Sequence, residues 1–297
     1  MGVKDLRSFL EDVKKEMADD FVVIKKEIDP NLHLPALVMN LERQGKRPVL
    51  LFENVKGTSF PVLTNLYAKR ERLALAMGTE PRKLVQTYLE RLRHPVQPVQ
   101  VATGPVKEVV RTGKDVNLLK LPQIVHHEKD AAAYITGAIA LAKDPKTKKI
   151  NASFNRLMIK GQDTFGIHLT EAKNLWDFYK NAEADGSPLE VAFVIGNHPC
   201  WSLGALHVSA GDENEMQAMN SLLQEPMELT PAETIDLLVP SGAEMVIEAQ
   251  ILAHVREDEG PFGEFTGYSL GSRKREVVKV KAVCRRKDAI FHDIMVG

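Results

Sequence analysis

His94-Pro-Val-Gln-Pro-Val-Gln-Val-Ala-Thr-Gly-Pro-Val106 divides the sequence into two textures. Its prolines withhold backbone donors and favour extended chain, so it reads as a linker near residues 94–106. Before it, helix and strand alternate. Leu6, Phe9, Leu10, Val13 and Met17 recur at helical spacing, with charged residues on the other face. Phe21-Val-Val-Ile24 reads as a strand, Leu34 to Leu41 as a helix stopping near Gly45, and Pro48-Val-Leu-Leu-Phe-Glu-Asn-Val55 as a strand closed by Gly57. Arg70 to Met77 and Pro81 to Leu92 add two short helices. After the linker, β signals dominate: Tyr134–Ala142, Ala152–Lys160, Phe165–Leu169, Val191–Ile195, Met245–Ile251, Val277–Cys284 and Ile290–Met295. Helices over 172–182 and 213–224 interrupt them. The expectation is an α+β chain, with a small α/β domain over residues 1–105 and a barrel or strongly curved sheet with inserted helices over residues 106–297.

Composition narrows the function. The chain has 297 residues, 44% hydrophobic and 27% charged, the balance of a globular protein of about two domains. A formal net charge of -1 removes the electrostatic case for a nucleic-acid partner. Cys200 and Cys284 form no CxxC pair and read as buried thiols in a reducing compartment. The N-terminus mixes charges into its apolar residues, unlike a signal peptide, and no apolar run approaches the roughly 20 residues of a spanning helix. A cytoplasmic protein with no membrane partner is therefore expected. The sequence stops in Ala289-Ile-Phe-His-Asp-Ile-Met-Val-Gly297, a strand pattern ending at a glycine without a polar tail, which reads as a shortened copy.

Two segments carry candidate chemistry. Glu259-Gly-Pro-Phe-Gly-Glu264 is a tight turn whose two carboxylates can be aimed at one point, as acid–base work requires. Solvated surface glutamates are the bland alternative, but a solvated turn has no need of a phenylalanine between two glycines. Asn151-Ala-Ser-Phe-Asn-Arg156 sets amides, a hydroxyl and a guanidinium against an apolar strand. Its arginine could clamp a carboxylate or hold a glutamate ionised. In a regular strand, however, Asn151, Ser153 and Asn155 would face away from Arg156, so convergence needs a late start or a bulge. Asp212-Glu-Asn-Glu215 reads first as a helix cap, with Glu215 a metal ligand only beside other oxygen donors. His126-His127 lie beside Glu128 and Asp130, and His168 lies in a strand. The histidines show no zinc spacing. There is no dinucleotide, P-loop or GxSxG signature.

At these residues the sequence resembles the UbiD family of reversible decarboxylases, which use prenylated flavin mononucleotide. The resemblance runs over nearly the whole chain. It extends through Phe52-Glu-Asn-Val-Lys-Gly57, Pro61-Val-Leu-Thr-Asn65, Leu121-Pro with Asp130 and Tyr134-Ile-Thr, and Lys143-Asp-Pro145. It implies that the second domain is a flavin-binding split β-barrel. It implies a catalytic network of Arg156, Glu259 and Glu264, in which Arg156 keeps Glu259 ionised and Glu264 is the proton donor. It further implies that Asn151, Ala152, Ser153, Phe154, Asn155, Arg156, Lys173 and Asn174 contact the prenylated FMN. Asn151, Asn174 and Glu215 would hold a divalent ion, manganese or magnesium, with a monovalent cation such as potassium nearby. Many relatives carry a histidine where this chain has Asn174, and His168 is a weaker substitute. A flavin prenyltransferase would supply the cofactor. Relatives continue into a C-terminal domain that supports dimerisation and contributes a phosphate-contacting lysine and part of the substrate pocket.

The function expected is reversible, non-oxidative decarboxylation of an aromatic or α,β-unsaturated carboxylic acid. The alternative is a non-catalytic or accessory, truncated subunit that binds flavin phosphate or a partner chain. An ordinary flavin reductase would leave the Glu259–Glu264 turn unexplained.

Overall fold

A computed structural model describes residues 4–207 and 215–296. Helix α1 (Leu6–Glu16) buries Leu6, Phe9, Leu10 and Val13, the stripe its 3.6-residue period dictates. Asp5 caps it, accepting from the Ser8 N–H at 2.9 Å. Strand β1 (Phe21–Ile24), helix α2 (His33–Arg43) and strand β2 (Val49–Phe52) form a parallel crossover, and β3 (Val62–Thr64) returns antiparallel to β2. Helices α3 (Arg70–Ala76) and α4 (Leu84–Leu92) follow.

The remaining strands are β4 (Val99–Gln100), β5 (Val109–Thr112), β6 (Tyr134–Ile135), β7 (Ile139–Lys143), β8 (Ile150–Phe154), β9 (Leu157–Ile159) and β10 (Thr164–Ile167). Helix α5 (Asn174–Ala184), β11 (Leu189–Ile195), helices α6 (Pro199–Gly204) and α7 (Glu215–Leu223), β12 (Glu228–Pro231) and β13 (Leu238–Pro240) come next. The chain then runs through β14 (Met245–Glu259), β15 (Phe262–Gly263), β16 (Ser269–Leu270), β17 (Arg273–Arg285) and β18 (Phe291–His292).

Most of these strands form one nine-stranded sheet in the order β6-β9-β10-β17-β14-β11-β7-β8, with β5 also paired to β17. Strands β8 and β9 stand near opposite ends of that order, yet only Asn155 and Arg156 separate them in the chain. Residues 136–138 likewise join β6 to β7. Such spans reach only about 10–14 Å, so the ends of the sheet approach and it curls into a half-barrel. Alternation along the strands gives it two apolar faces. Ala140, Phe165, Phe193, Ile247 and Val278 pack with α5 on one face, while Leu141, Ala192, Val194 and Val246 pack with α6 and α7 on the other. Burying each large side chain contributes about 1.5–3 kcal/mol.

Many contacts join the half-barrel to the first hundred residues, among them a Tyr67–Ser202 hydroxyl pair, an Arg286–Asp5 bond and the two that follow. Strand β18 pairs in parallel with β3, completing the four-stranded sheet β1-β2-β3-β18. Glu244, buried at the start of β14, accepts from Arg7 of α1 at 2.8 and 3.0 Å and from the Ile290 N–H at 2.9 Å.

Several sequence expectations change. The proline-rich linker holds strand β4, which pairs in parallel with β12. The strand expected over Tyr134–Ala142 breaks at Gly137, where a Cβ would sit 2.3 Å from the His292 carbonyl oxygen. That over Ala152–Lys160 breaks at Asn155 and Arg156. The strand starting at Met245 runs on to Glu259, and β3, β5, β12, β13 and α6 were not expected. The acidic run Asp212-Glu-Asn214 and the terminal Gly297 lie outside the described residues; the helix expected there is described from Glu215. Among the described residues, no helix is long and apolar enough to cross a membrane.

Candidate active site

Strand β14 delivers Glu259, and the chain then turns back through Phe262 to Glu264. Phe262 is buried. Its ring lies 4.4 Å from that of Tyr134, and the Arg156 guanidinium sits 4.9 Å from its centroid. The phenylalanine between the glycines is thus the floor on which Arg156 rests. Asp130 holds the turn from the other side. Its carboxylate accepts from the Gly263 N–H at 2.8 Å and from the His127 N–H at 3.0 Å. The Ala131 N–H donates to the Pro261 oxygen at 2.9 Å. A Cβ on Gly263 would lie 2.3 Å from the His127 ring, so any larger residue in this seat would have to displace that ring.

The break between β8 and β9 removes the facing problem of the Asn151–Arg156 segment. Arg156 stands outside both ladders and turns towards β14. Its Nε and Nη2 donate to the two oxygens of Glu259 at 3.0 and 3.2 Å, and its Nη1 donates to Glu264. Burial works against the Arg156 charge, but the bonds and charge of Glu259, followed by Glu264, hold its pKa above the ordinary guanidinium value. His168 Nδ1 lies 3.2 Å from Arg156 Nη2. Burial, then Arg275 and Arg156, lowers the pKa of His168, consistent with a neutral ring accepting from the guanidinium. His168 therefore stands with Arg156 and not with Glu215.

Asn151, Ala152, Ser153, Phe154, Asn155, Lys173, Asn174 and Glu215 line one cavity of about 360 Å³. Arg156, His168 and Glu259 line a second, of about 400 Å³, and Leu169 and Thr170 border both. Along the first, Asn151 Nδ2 donates to Ser153 Oγ at 3.3 Å, and Ser153 Oγ donates to Asn155 Oδ1 at 3.0 Å. Glu215 is buried, accepts from Asn174 Nδ2 at 3.3 Å and is bonded to the backbone of Ala152. Burial raises its pKa, and the backbone bonds and that from Asn174 offset this only in part. Among the described residues, no three His, Cys, Asp or Glu side chains gather as a metal-holding group. The candidate set at Glu215 is one carboxylate with two carboxamides. Glu264 also borders a cavity of about 610 Å³ lined by His126, His127 and Tyr268.

Sequence reading singled out Arg156, Glu259 and Glu264, and the structure brings them together. It did not find Asp130 as the holder of the turn, nor Arg273 and Arg275 in the wall of the Arg156 cavity. Their signals were present but weak: an acidic residue in His126-His-Glu-Lys-Asp130, and alternate arginines on one strand.

Comparison with known proteins bears on the whole arrangement. Residues 14–92 match the 3-octaprenyl-4-hydroxybenzoate carboxy-lyase N-terminal domain, and residues 97–297 match the Rift-related domain of the same family. A phenolic acid decarboxylase of Sedimentibacter hydroxybenzoicus is 31% identical, over 99% of this chain and 64% of its own length. An anhydromevalonate phosphate decarboxylase of Methanothermobacter thermautotrophicus is 29% identical, over 98% and 65%. Among solved structures, a dimeric evolved form of the UbiD-class enzyme HmfF from Pelotomaculum thermopropionicum, in complex with prFMN, matches with a TM-score of 0.92. It is 38% identical, over 98% of this chain and 67% of that one. The vanillic acid decarboxylase of Sedimentibacter hydroxybenzoicus in closed form gives a TM-score of 0.92 at 31% identity, over 100% and 65%. The chain thus spans about two thirds of the length of the relatives it matches. On its sequence and its fold alike, this chain belongs to the UbiD family of 3-octaprenyl-4-hydroxybenzoate carboxy-lyases.

Proposed function

We propose that this chain carries the flavin- and acid-binding part of a decarboxylase acting on an aromatic or α,β-unsaturated carboxylic acid. Residues 1–105 would form its flanking domain, and residues 106–297 a split barrel around the cofactor. The observation that carries the reading is the single guanidinium of Arg156 bonded to both Glu259 and Glu264 at the wall of a cavity. Two carboxylates tied to one cation, itself seated on a buried aromatic ring, form a pre-oriented acid–base group.

The residues present fit a flavin. The ladder from Asn151 to Asn155 offers amides and a hydroxyl along one wall of a cavity that opens beside the Arg156 cavity. They also fit a hard divalent ion such as manganese or magnesium, which the Glu215 carboxylate and the Asn151 and Asn174 oxygens would hold and which would supply positive charge to an anionic cofactor group. A prenylated flavin bound there would supply the electron sink for the bond to the departing carboxylate. The protein does the rest. Arg156 fixes both carboxylates, and Phe262 and Asp130 fix the turn between them. As the carbon–carbon bond breaks, carbon dioxide leaves; Glu264, having taken a proton from solvent, gives it to the vacated carbon and is left as the carboxylate that accepts from Arg156. Run backwards, the same groups would carboxylate.

The test is the full chain produced together with a flavin prenyltransferase and assayed for carbon dioxide release. Benzoate-type, phenolic, heteroaromatic and acrylic acids make up the panel. Turnover of at least one acid is expected. A chain that holds the prenylated flavin by its absorption spectrum, yet releases carbon dioxide from none, contradicts the reading.

A further inference from the structure

Two arginines in the wall of the Arg156 cavity have side chains without a partner among the described residues. Arg273 and Arg275 are alternate residues of β17, so their side chains leave the same face of the strand. Lys274, between them, points the other way and bonds Asp258 at 3.0 Å. Arg273 and Arg275 line the cavity of about 400 Å³ together with Arg156, His168 and Glu259. Among the described residues, neither side chain makes a hydrogen bond or an ion pair, and Glu171 in the same wall lies beyond ion-pair reach of both. Their field reaches His168, whose pKa falls first through burial and then through Arg275, Arg156 and Arg273. Arg156, by contrast, is engaged by Glu259 and Glu264. The free cationic charge of this cavity therefore sits at 273 and 275. Unpaired guanidinium groups in a concave wall draw an anion, and their forked donors match carboxylate and phosphate oxygens.

The chemistry of the site decides which anion. On the decarboxylase reading, the departing carboxylate loses its charge on the way to the transition state. A guanidinium holding it would stabilise the bound acid more than the transition state and slow the reaction. An anionic group that keeps its charge is held equally well throughout, and its binding energy serves to orient the reacting carbon.

We propose that Arg273 and Arg275 form an anion subsite, and that the acid taken by this site carries a second anionic group, a carboxylate or a phosphate ester, that is retained in the product. The proposal rests on the decarboxylase reading for the identity of the reacting group. The subsite itself rests on the two unpaired arginines and the cavity they line.

The experiment uses the full chain loaded with prenylated flavin and matched sets of acids: a monocarboxylic acid, the same acid bearing a second carboxylate, and the same acid bearing a phosphate monoester. A dianionic acid is expected to show a kcat/KM about ten- to a hundredfold above its monoanionic match, the range of a charged hydrogen bond. Added salt should narrow the gap. Arg273→Gln with Arg275→Gln should abolish the preference, and Arg275→Lys should keep part of it. Whether carboxylate or phosphate is favoured identifies the natural group. A monoanion used as well as its dianionic match, or a preference that survives in the double Gln variant, overturns the proposal. If no acid of any class is turned over, the decarboxylase reading fails, and calorimetric titration with a saturated dicarboxylate and an alkyl phosphate decides the subsite by itself. Binding that is lost in the double Gln variant supports it. Equal binding by both proteins, or by neither, overturns it.

Discussion

Gly263 and Asp130 show how much of this site is held by residues with no chemistry of their own. The Asp130 side chain is fully buried and spends its acceptors on the backbone N–H groups of Gly263 and His127. Asp130→Ala leaves those donors without a buried acceptor, at a cost of about 1–3 kcal/mol. We expect that loss in urea unfolding, with kcat falling more than KM changes because Glu264 is the next residue along. Asp130→Asn keeps an oxygen for Gly263 and should recover much of both. An Asp130→Ala protein with unaltered stability and kcat would remove Asp130 from the turn. At this scale the sequence was informative where chemistry is dense: Glu259, Glu264 and Arg156 stand in short, unusual segments. Asp130 was hidden because its acceptors act on backbone, which no residue pattern displays.

Strand β14 is the element on which the site depends. Its ladder with β17 shifts register between Ile251 and Arg256, and beyond that irregularity it runs on to Glu259. Glu183 of α5 holds the bend. It accepts from the His254 N–H at 3.0 Å, Arg256 Nη2 at 2.8 Å and Lys180 Nζ at 2.6 Å, and from the Tyr179 hydroxyl. Glu183→Ala should therefore destabilise the fold by about 2–3 kcal/mol and speed amide exchange over residues 252–259 more than over 245–251. Uniform exchange along the strand would contradict a local role for Glu183. Sequence reading ended this strand at Ile251 because His254, Arg256, Glu257 and Asp258 break the apolar pattern; the polar stretch is a strand tail supported by α5. The short strands β4, β12 and β13 were hidden for the opposite reason, since proline and two- to four-residue lengths resemble loop. The break at Asn155 and Arg156 was foreseen only as a geometric requirement.

Across the whole molecule, a buried polar core that charge patterns did not disclose lies where β18 meets the first hundred residues, with Thr64 of β3 donating to its Asp293 at 3.3 Å. Asp293, just past β18, is buried and accepts from His126 Nε2 at 2.9 Å and from the Thr136 hydroxyl at 2.8 Å. Burial alone would lower the His126 pKa, but Asp293, with a further contribution from Asp130, raises it above 6.5. Burial likewise opposes the Asp293 charge, and His126 with Thr136 brings its pKa below 3.8. The neighbouring His292 is pushed down to about 4 by burial and stays neutral. A raised histidine stabilises fully below its unfolded pKa of 6.5 and loses that contribution as pH rises through its folded value; a lowered aspartate loses its contribution as pH falls below 3.8. The melting temperature should thus decline on the alkaline side of pH 6.5, and His126→Gln should flatten that decline. An unchanged pH profile in the variant would show that the pair does not titrate with folding. The return of β18 to the N-terminal sheet explains why the topology was not legible: a two-residue strand pairing across more than two hundred residues leaves no local signal. The central claim remains that Glu264, held by Arg156, returns the proton. Single-turnover decarboxylation by the flavin-loaded full chain, compared with Glu264→Gln, tests it most directly. The geometry predicts that the variant still binds flavin and acid but forms product about 100- to 10,000-fold more slowly; product formed at the unaltered rate would contradict it.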